Sequence, residues 1–173
     1  MKNPVIGITL DTENNQNYSM FPWYASRKNY SDSVVLAGGT PVFLPHNLNM
    51  IEKFIEVIDG IIITGGDFDI DPEIYGEKVL SNKVSTKVDR TKFEFEITKA
   101  ENMFVNSAHH QAVKTLGQNL IVNCSTEDGV IEGIEDPDAE FCIGVQWHPE
   151  FLLDKKDIEI FKSLIESSRN FER

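Results

Sequence analysis

Two side chains near the C-terminal end have the types and spacing of an acid–base pair: His148 and Glu150, in Trp147-His148-Pro149-Glu150. Proline fixes its own φ and pushes the residue before it toward extended geometry. Residues i and i+2 of an extended segment share a face, so the imidazole and the carboxylate point the same way. A carboxylate that accepts a hydrogen bond from one ring nitrogen leaves the other nitrogen free as a general base. The pair therefore reads as the base and orienter of a triad. Taken alone, the same spacing also describes a strand-end histidine beside an unrelated surface glutamate.

A second candidate is Thr64-Gly65-Gly66-Asp67, at the end of the apolar run Gly60 to Thr64. Open α/β sheets bind ligands at the carboxyl ends of their strands, and glycines there let backbone N–H groups approach a substrate as half of an oxyanion hole. A plain strand-to-loop turn has the same composition. His109 and His110 lie in Asn106-Ser107-Ala108-His109-His110-Gln111, a polar stretch suited to lining a pocket. Adjacent histidines on an extended chain face opposite ways, and no Cys or further His stands at zinc-ligand spacing, so no metal is expected. Asp67, Asp69, Asp71 and Glu73 alternate as in a calcium loop. Pro72 occupies the position that demands glycine and Lys78 the position of the bidentate glutamate, which leaves a solvated acidic loop.

Neither cysteine suits a nucleophile. Cys142 precedes His148 in a segment read as extended, which at roughly 3.3 Å per residue separates them by about 20 Å. Cys124 leads into a polar turn with no flanking glycines to strain or expose it. Both are expected to be small buried apolar residues. His46, beside Pro45, carries no functional argument.

The elements that must position these residues follow from periodicity. Val5 to Leu10 is a buried strand that empties into a polar loop, Asp11 to Ser19. Tyr30, Val34 and Ala37 mark a helix ended by Gly38-Gly39. Pro41 to Pro45 is a strand; Ile51, Phe54, Ile55 and Ile58 give a second helix; Gly60 to Thr64 is a third strand. This alternation, with near-continuous apolar strands, predicts a parallel sheet with helices on both faces. Phe93, Ile97 and Ala100 give a third helix ending near Met103. Leu120 to Cys124 and Val130 to Ile134 flank Glu127-Asp128-Gly129 as a hairpin, and Phe141 to Val145 is a further strand. Asp157 caps a last helix with Ile158, Phe161 and Ile165 on one face.

The 173 residues, 40% hydrophobic and 25% charged, fit one soluble domain over 1–173. Sixteen Lys+Arg against twenty-eight Asp+Glu leave a formal net charge of −12, which repels nucleic acid and anionic membranes. Two cysteines make no disulfide framework, and the short start Met1-Lys2-Asn3-Pro4 precedes no signal peptide, so a cytoplasmic location is expected. No run approaches a membrane span; the longest aliphatic block is Ile61-Ile62-Ile63.

Together these stretches resemble the class I glutamine amidotransferase-like family, in its γ-glutamyl-γ-aminobutyrate hydrolase (peptidase C26-like) branch. The matching pieces stand in order. Ile6-Gly7-Ile8-Thr9 resembles the opening strand, Leu36-Ala37-Gly38-Gly39-Thr40-Pro41-Val42 a helix-to-strand junction, and Thr64-Gly65-Gly66 with Asp71-Pro72-Glu73-Ile74-Tyr75-Gly76 the oxyanion loop. Asp89-Arg90 with Phe93-Glu94 resembles the helix before the nucleophile strand. Val105 to Val113, Asp128 to Glu132 and Gly144-Val145-Gln146-Trp147-His148-Pro149-Glu150 resemble the C-terminal third.

The resemblance implies a three-layer flavodoxin-like fold, a small γ-glutamyl amide as ligand and no cofactor. It implies His148 and Glu150 as base and orienter, with Gly65, Gly66, His109 and His110 around the oxyanion and substrate. The family's nucleophile is a cysteine on a Gly-x-Cys-x-Gly elbow. Here Lys99-Ala100-Glu101-Asn102-Met103-Phe104 runs straight past its place. By that comparison several tens of residues are absent, including the nucleophile strand, so the fold is expected to be internally truncated, inactive and prone to self-association.

Overall fold

The computed structural model describes residues 3–14, 18–66, 68–69, 85–98, 113 and 115–170. In chain order the elements are β1 (Val5–Thr9), β2 (Asp11–Glu13), β3 (Trp23–Ala25), α1 (Lys28–Ala37), β4 (Thr40–Leu44), α2 (Ile51–Ile55), β5 (Gly60–Ile62), α3 (Val88–Thr98), β6 (Ile121–Ser125), β7 (Ile131–Glu135), β8 (Ile143–Val145) and α4 (Asp157–Asn170).

Strand β1 lies between β4 and β5, and both pairings are parallel, with Ile6 opposite Pro41 and Gly60. Its side chains alternate between two cores. Ile6 and Ile8 join Tyr30 and Val34 of α1, Ile62 of β5, and Phe161, Leu164 and Ile165 of α4. On the other face Leu44, Ile58, Ile61 and Ile63 close on Phe93 and Ile97 of α3. Gly7 makes that second closure possible: a Cβ there would stand 2.7 Å from Leu44 Cδ1 and 3.1 Å from Ile58 Cδ1. The expected parallel sheet with helices on both faces is present.

Helix α1 stops where the glycines stand. Gly38 is left-handed at φ 93°, and the Gly38 and Gly39 N–H groups donate to Val35 O and Val34 O. This is the closure that glycine allows at a helix end. A second sheet, β6-β7-β8, is antiparallel throughout and includes the expected hairpin, with a register irregularity around Cys124. No helix among the described residues is long and apolar enough to cross a membrane.

Four local expectations need correction. The polar stretch after β1 is not all loop: Asp11–Glu13 pairs antiparallel with Trp23–Ala25, a ribbon with no apolar alternation to announce it. Asp157 is the first helical residue and not a cap; its carboxylate turns back to accept from Trp147 Nε1 at 3.2 Å and from the Asp154 N–H at 3.0 Å. Asp69 is not a solvated acid, since it is buried and accepts from the Ser85 N–H at 3.0 Å. Cys124 is exposed on the outer strand of its sheet, where no second layer covers it among the described residues. The expected end of the third helix near Met103 lies outside the described residues.

Candidate active site

Thr64 ends the run that begins at β5, and it is buried at the tip of the parallel sheet. Its N–H donates to Thr9 Oγ1 at 3.0 Å and its hydroxyl to Thr9 O at 3.2 Å, so the ends of β1 and β5 are tied by side chains after the ladder stops. Beneath the following glycines lies Arg90 of α3, only 1% exposed. Its Nη2 donates to Thr64 O, to Thr64 Oγ1 at 3.1 Å and to Gly65 O at 3.4 Å. Its Nε donates to Glu94 Oε1 at 2.9 Å, and that carboxylate also accepts from Thr9 Oγ1 at 2.7 Å.

The Arg90 guanidinium lies over the Phe68 ring at 4.3 Å and 3.5 Å from Asp11 Oδ1. Burial raises the Glu94 carboxyl above its usual range, against the opposing pull of Arg90 and the Thr9 hydroxyl. The two glycines are thus held from below by a buried, charge-assisted network. A Cβ at Gly66 would fall 2.7 Å from Phe68 Cε1 and 2.8 Å from Arg90 Nη1, so a larger residue there displaces one of those side chains.

His148 and Glu150 come together, by a route different from strand alternation. β8 ends at Val145 and the chain bends through Gln146 and Trp147; a 3-10 turn, Pro149–Phe151, then begins beside His148. Within that turn His148 Nδ1 lies 2.8 Å from Glu150 Oε1, donating to the carboxylate. Glu150 is 1% exposed, whereas the imidazole is a third exposed. The arrangement leaves Nε2 as the ring nitrogen available for proton transfer. The bend also removes the basis for the 20 Å separation of Cys142 from His148, which assumed a straight segment. Cys142 instead lines a cavity of about 220 Å³ against Ile134, Gly144 and Val145, and burial followed by Asp136 raises its thiol.

Helix α1 brings the turn and the glycines together. Arg27, at its N-terminal end, places Nη1 3.7 Å from Glu150 Oε1 and its guanidinium 5.4 Å over Phe151, whose ring also meets His148 at 5.0 Å. Tyr30 is 2% exposed and lies beside the Glu150 carboxylate and the Gly65 backbone. Burial first, then that carboxylate, pushes its hydroxyl far above the ordinary phenol range. One turn on, Ser33 Oγ donates to Glu150 O at 3.5 Å. Arg27 and Tyr30 also line a pocket of about 240 Å³ with Asp11, Ala25, Gly65 and Gly66.

Four of the six expected site residues, Gly65, Gly66, His148 and Glu150, are therefore gathered around the pocket and α1. His109 and His110 lie outside the described residues. Arg27, Tyr30, Arg90 and Glu94 were not read as site residues. Tyr30 sat inside an apolar helical stripe that reads as core, and Arg90 and Glu94 sat in a helix motif with nothing to mark burial. His46 is a half-buried histidine with local partners: Nε2 meets Leu10 O at 2.9 Å, Nδ1 meets Thr12 Oγ1 at 3.3 Å, and its ring packs on Tyr24 and Phe93. No cluster of three or more metal-ligating side chains occurs among the described residues.

Comparisons with known proteins identify the family and the fold. The peptidase C26 family matches residues 4–103 and 95–150. A glutamine amidotransferase-like protein of Rickettsia prowazekii is 28% identical over 275 residues, spanning 96% of this chain and 98% of that protein. The γ-glutamyl-γ-aminobutyrate hydrolase PuuD of Escherichia coli is 22% identical over 224 residues, spanning 87% of each. Among solved structures, a protein described as a GMP synthase component from Thermoplasma acidophilum superposes with a TM-score of 0.64 at 10% identity, covering 98% of this chain and 96% of that one. The fold is the α/β fold of the glutamine amidotransferases, and the chain belongs to the peptidase C26 family of class I glutamine amidotransferase-like proteins.

Proposed function

We propose that the chain binds a γ-glutamyl amide in the pocket beside Gly65 and Gly66 without hydrolysing it. His148 and Glu150 are the retained base and orienter, and the Gly65–Gly66 backbone is the retained oxyanion and substrate site. Covalent hydrolysis needs a nucleophile whose proton passes to His148 as it adds to the ligand's carbonyl carbon. The observation that carries the reading is where the two thiols stand. Cys124 is exposed on β6 and Cys142 faces the β7–β8 cavity, so neither lines the Gly65–Gly66 pocket.

Two comparisons support it. The family match falls into two pieces that meet and overlap at residues 95–103, where the elbow is expected. The alignment with the Rickettsia relative is longer than the chain's own 173 residues, so part of that relative stands opposite no residue here. The named hydrolase relatives support the γ-glutamyl class of ligand.

Glutamate release from a panel of γ-glutamyl amides tests the reading, with His148→Ala and Cys124→Ala beside the parent chain and calorimetric binding on the same samples. Saturable binding without release is expected. Release that disappears in His148→Ala would overturn it, and the Cys124→Ala lane would identify or clear that thiol.

A further inference from the structure

The pocket has an outward continuation that neither the family nor the retained dyad accounts for. In the β2–β3 ribbon Asp11 stands opposite Ala25, and both line the pocket. Two residues further along each strand Glu13 stands opposite Trp23, and alternation puts that pair on the same face, one step outward. The charges agree with this phase, because Lys87 Nζ reaches both Asp11 at 2.6 Å and Glu13 at 3.3 Å. Tyr24, in the opposite phase, faces away and packs on His46.

Beyond Trp23 the surface stays aromatic. The Tyr18 ring meets Trp23 at 5.1 Å while remaining 80% exposed, and Phe21 nearby is 77% exposed. Exposed apolar side chains grouped together mark a binding surface more often than ones scattered singly. The inner pocket is of another character: it is lined by the charged Arg27 and Asp11, and Gly65–Gly66 supplies backbone for a carbonyl. From that pocket the ribbon leads past Ala25 toward Trp23 and Tyr18.

We propose that the Trp23–Tyr18 face of the β2–β3 ribbon is a selectivity wall, making this a site for γ-glutamyl amides of aromatic or bulky apolar amines. The inference rests on the γ-glutamyl reading of the inner pocket and names the second half of its ligand. Lys87 pairs with Glu13, the acid opposite Trp23, so that carboxylate does not face the substituent uncompensated.

The test compares calorimetric affinities for γ-glutamylanilide and γ-glutamylmethylamide, which share a head and differ in the substituent. The parent chain is expected to prefer the anilide by about tenfold. Trp23→Ala is expected to bring the ratio toward one, and Tyr18→Ala, at an exposed position that folding does not need, to lower it by a smaller factor. Equal affinity of the parent for the two amides, or a preference that survives in both variants, overturns the wall while leaving the γ-glutamyl site intact. Absence of binding by either amide to a chain shown to be folded overturns the γ-glutamyl reading, and the wall with it.

Discussion

Replacing Arg90 by methionine tests the network under the glycine loop. The side chain has no solvent exposure and donates to Thr64, Gly65 and Glu94. Removing one partner of a buried ion pair costs about 3–5 kcal/mol, because the other charge is left uncompensated. For a chain of this size that lowers Tm by about 6–20 °C. The sign of the pH dependence identifies the cause. Glu94 already holds its proton more tightly in the folded state than an ordinary carboxyl, and Arg90 is what limits that rise.

A group with a raised folded-state pKa contributes most below its unfolded value and loses that contribution as pH rises through the folded one. Without Arg90 the rise is larger, so the deficit of Arg90→Met is greater at about pH 8 than at about pH 5. Adding Glu94→Gln recovers part of it. Urea denaturation followed by circular dichroism at the two pH values measures both terms. A deficit below about 1 kcal/mol, or one that does not change with pH, would refute the reasoning.

Three further outcomes are expected. His46 is held neutral below its ordinary value of 6.5, chiefly by burial. Its contribution is complete above that value and declines as pH falls through the lower folded-state one, so thermal stability drops on acidification and the drop shrinks in His46→Gln. Native Cys124, exposed, reacts with a disulfide reagent before Cys142, which is partly buried and raised; equal rates in the folded chain would contradict this placement. Gly7→Ala drives a methyl into Leu44 and Ile58 and costs about 1–3 kcal/mol in denaturant titrations; a neutral result would mean that the β1 face is looser than described.

What the sequence discloses is governed by how local each signal is. The β1, α1 and β4 segments are legible because apolar periodicity and the Gly38–Gly39 stop are written within a few residues of one another. The β2–β3 ribbon is not, because its pairing joins two three-residue strands, one of them polar, and draws support from Lys87, far along the chain. His148 and Glu150 were found by residue type, yet the spacing argument assumed a strand where Pro149 starts a 3-10 turn. The roles of Tyr30 and Arg90 depend on which groups surround their polar tips, and those come from the segment after β5, from β2 and from the turn at His148, a convergence that no local window holds.

The central claim is a family site that binds without turning over, and glutamate release by the purified, folded chain addresses it directly. Loss of a triad nucleophile removes on the order of 10⁶ in kcat. The account predicts that release from every γ-glutamyl amide is indistinguishable between the parent chain and His148→Ala, both at the uncatalysed background. Sustained release by the parent that vanishes in His148→Ala would contradict it, and would mean that a nucleophile operates beside the Gly65–Gly66 loop.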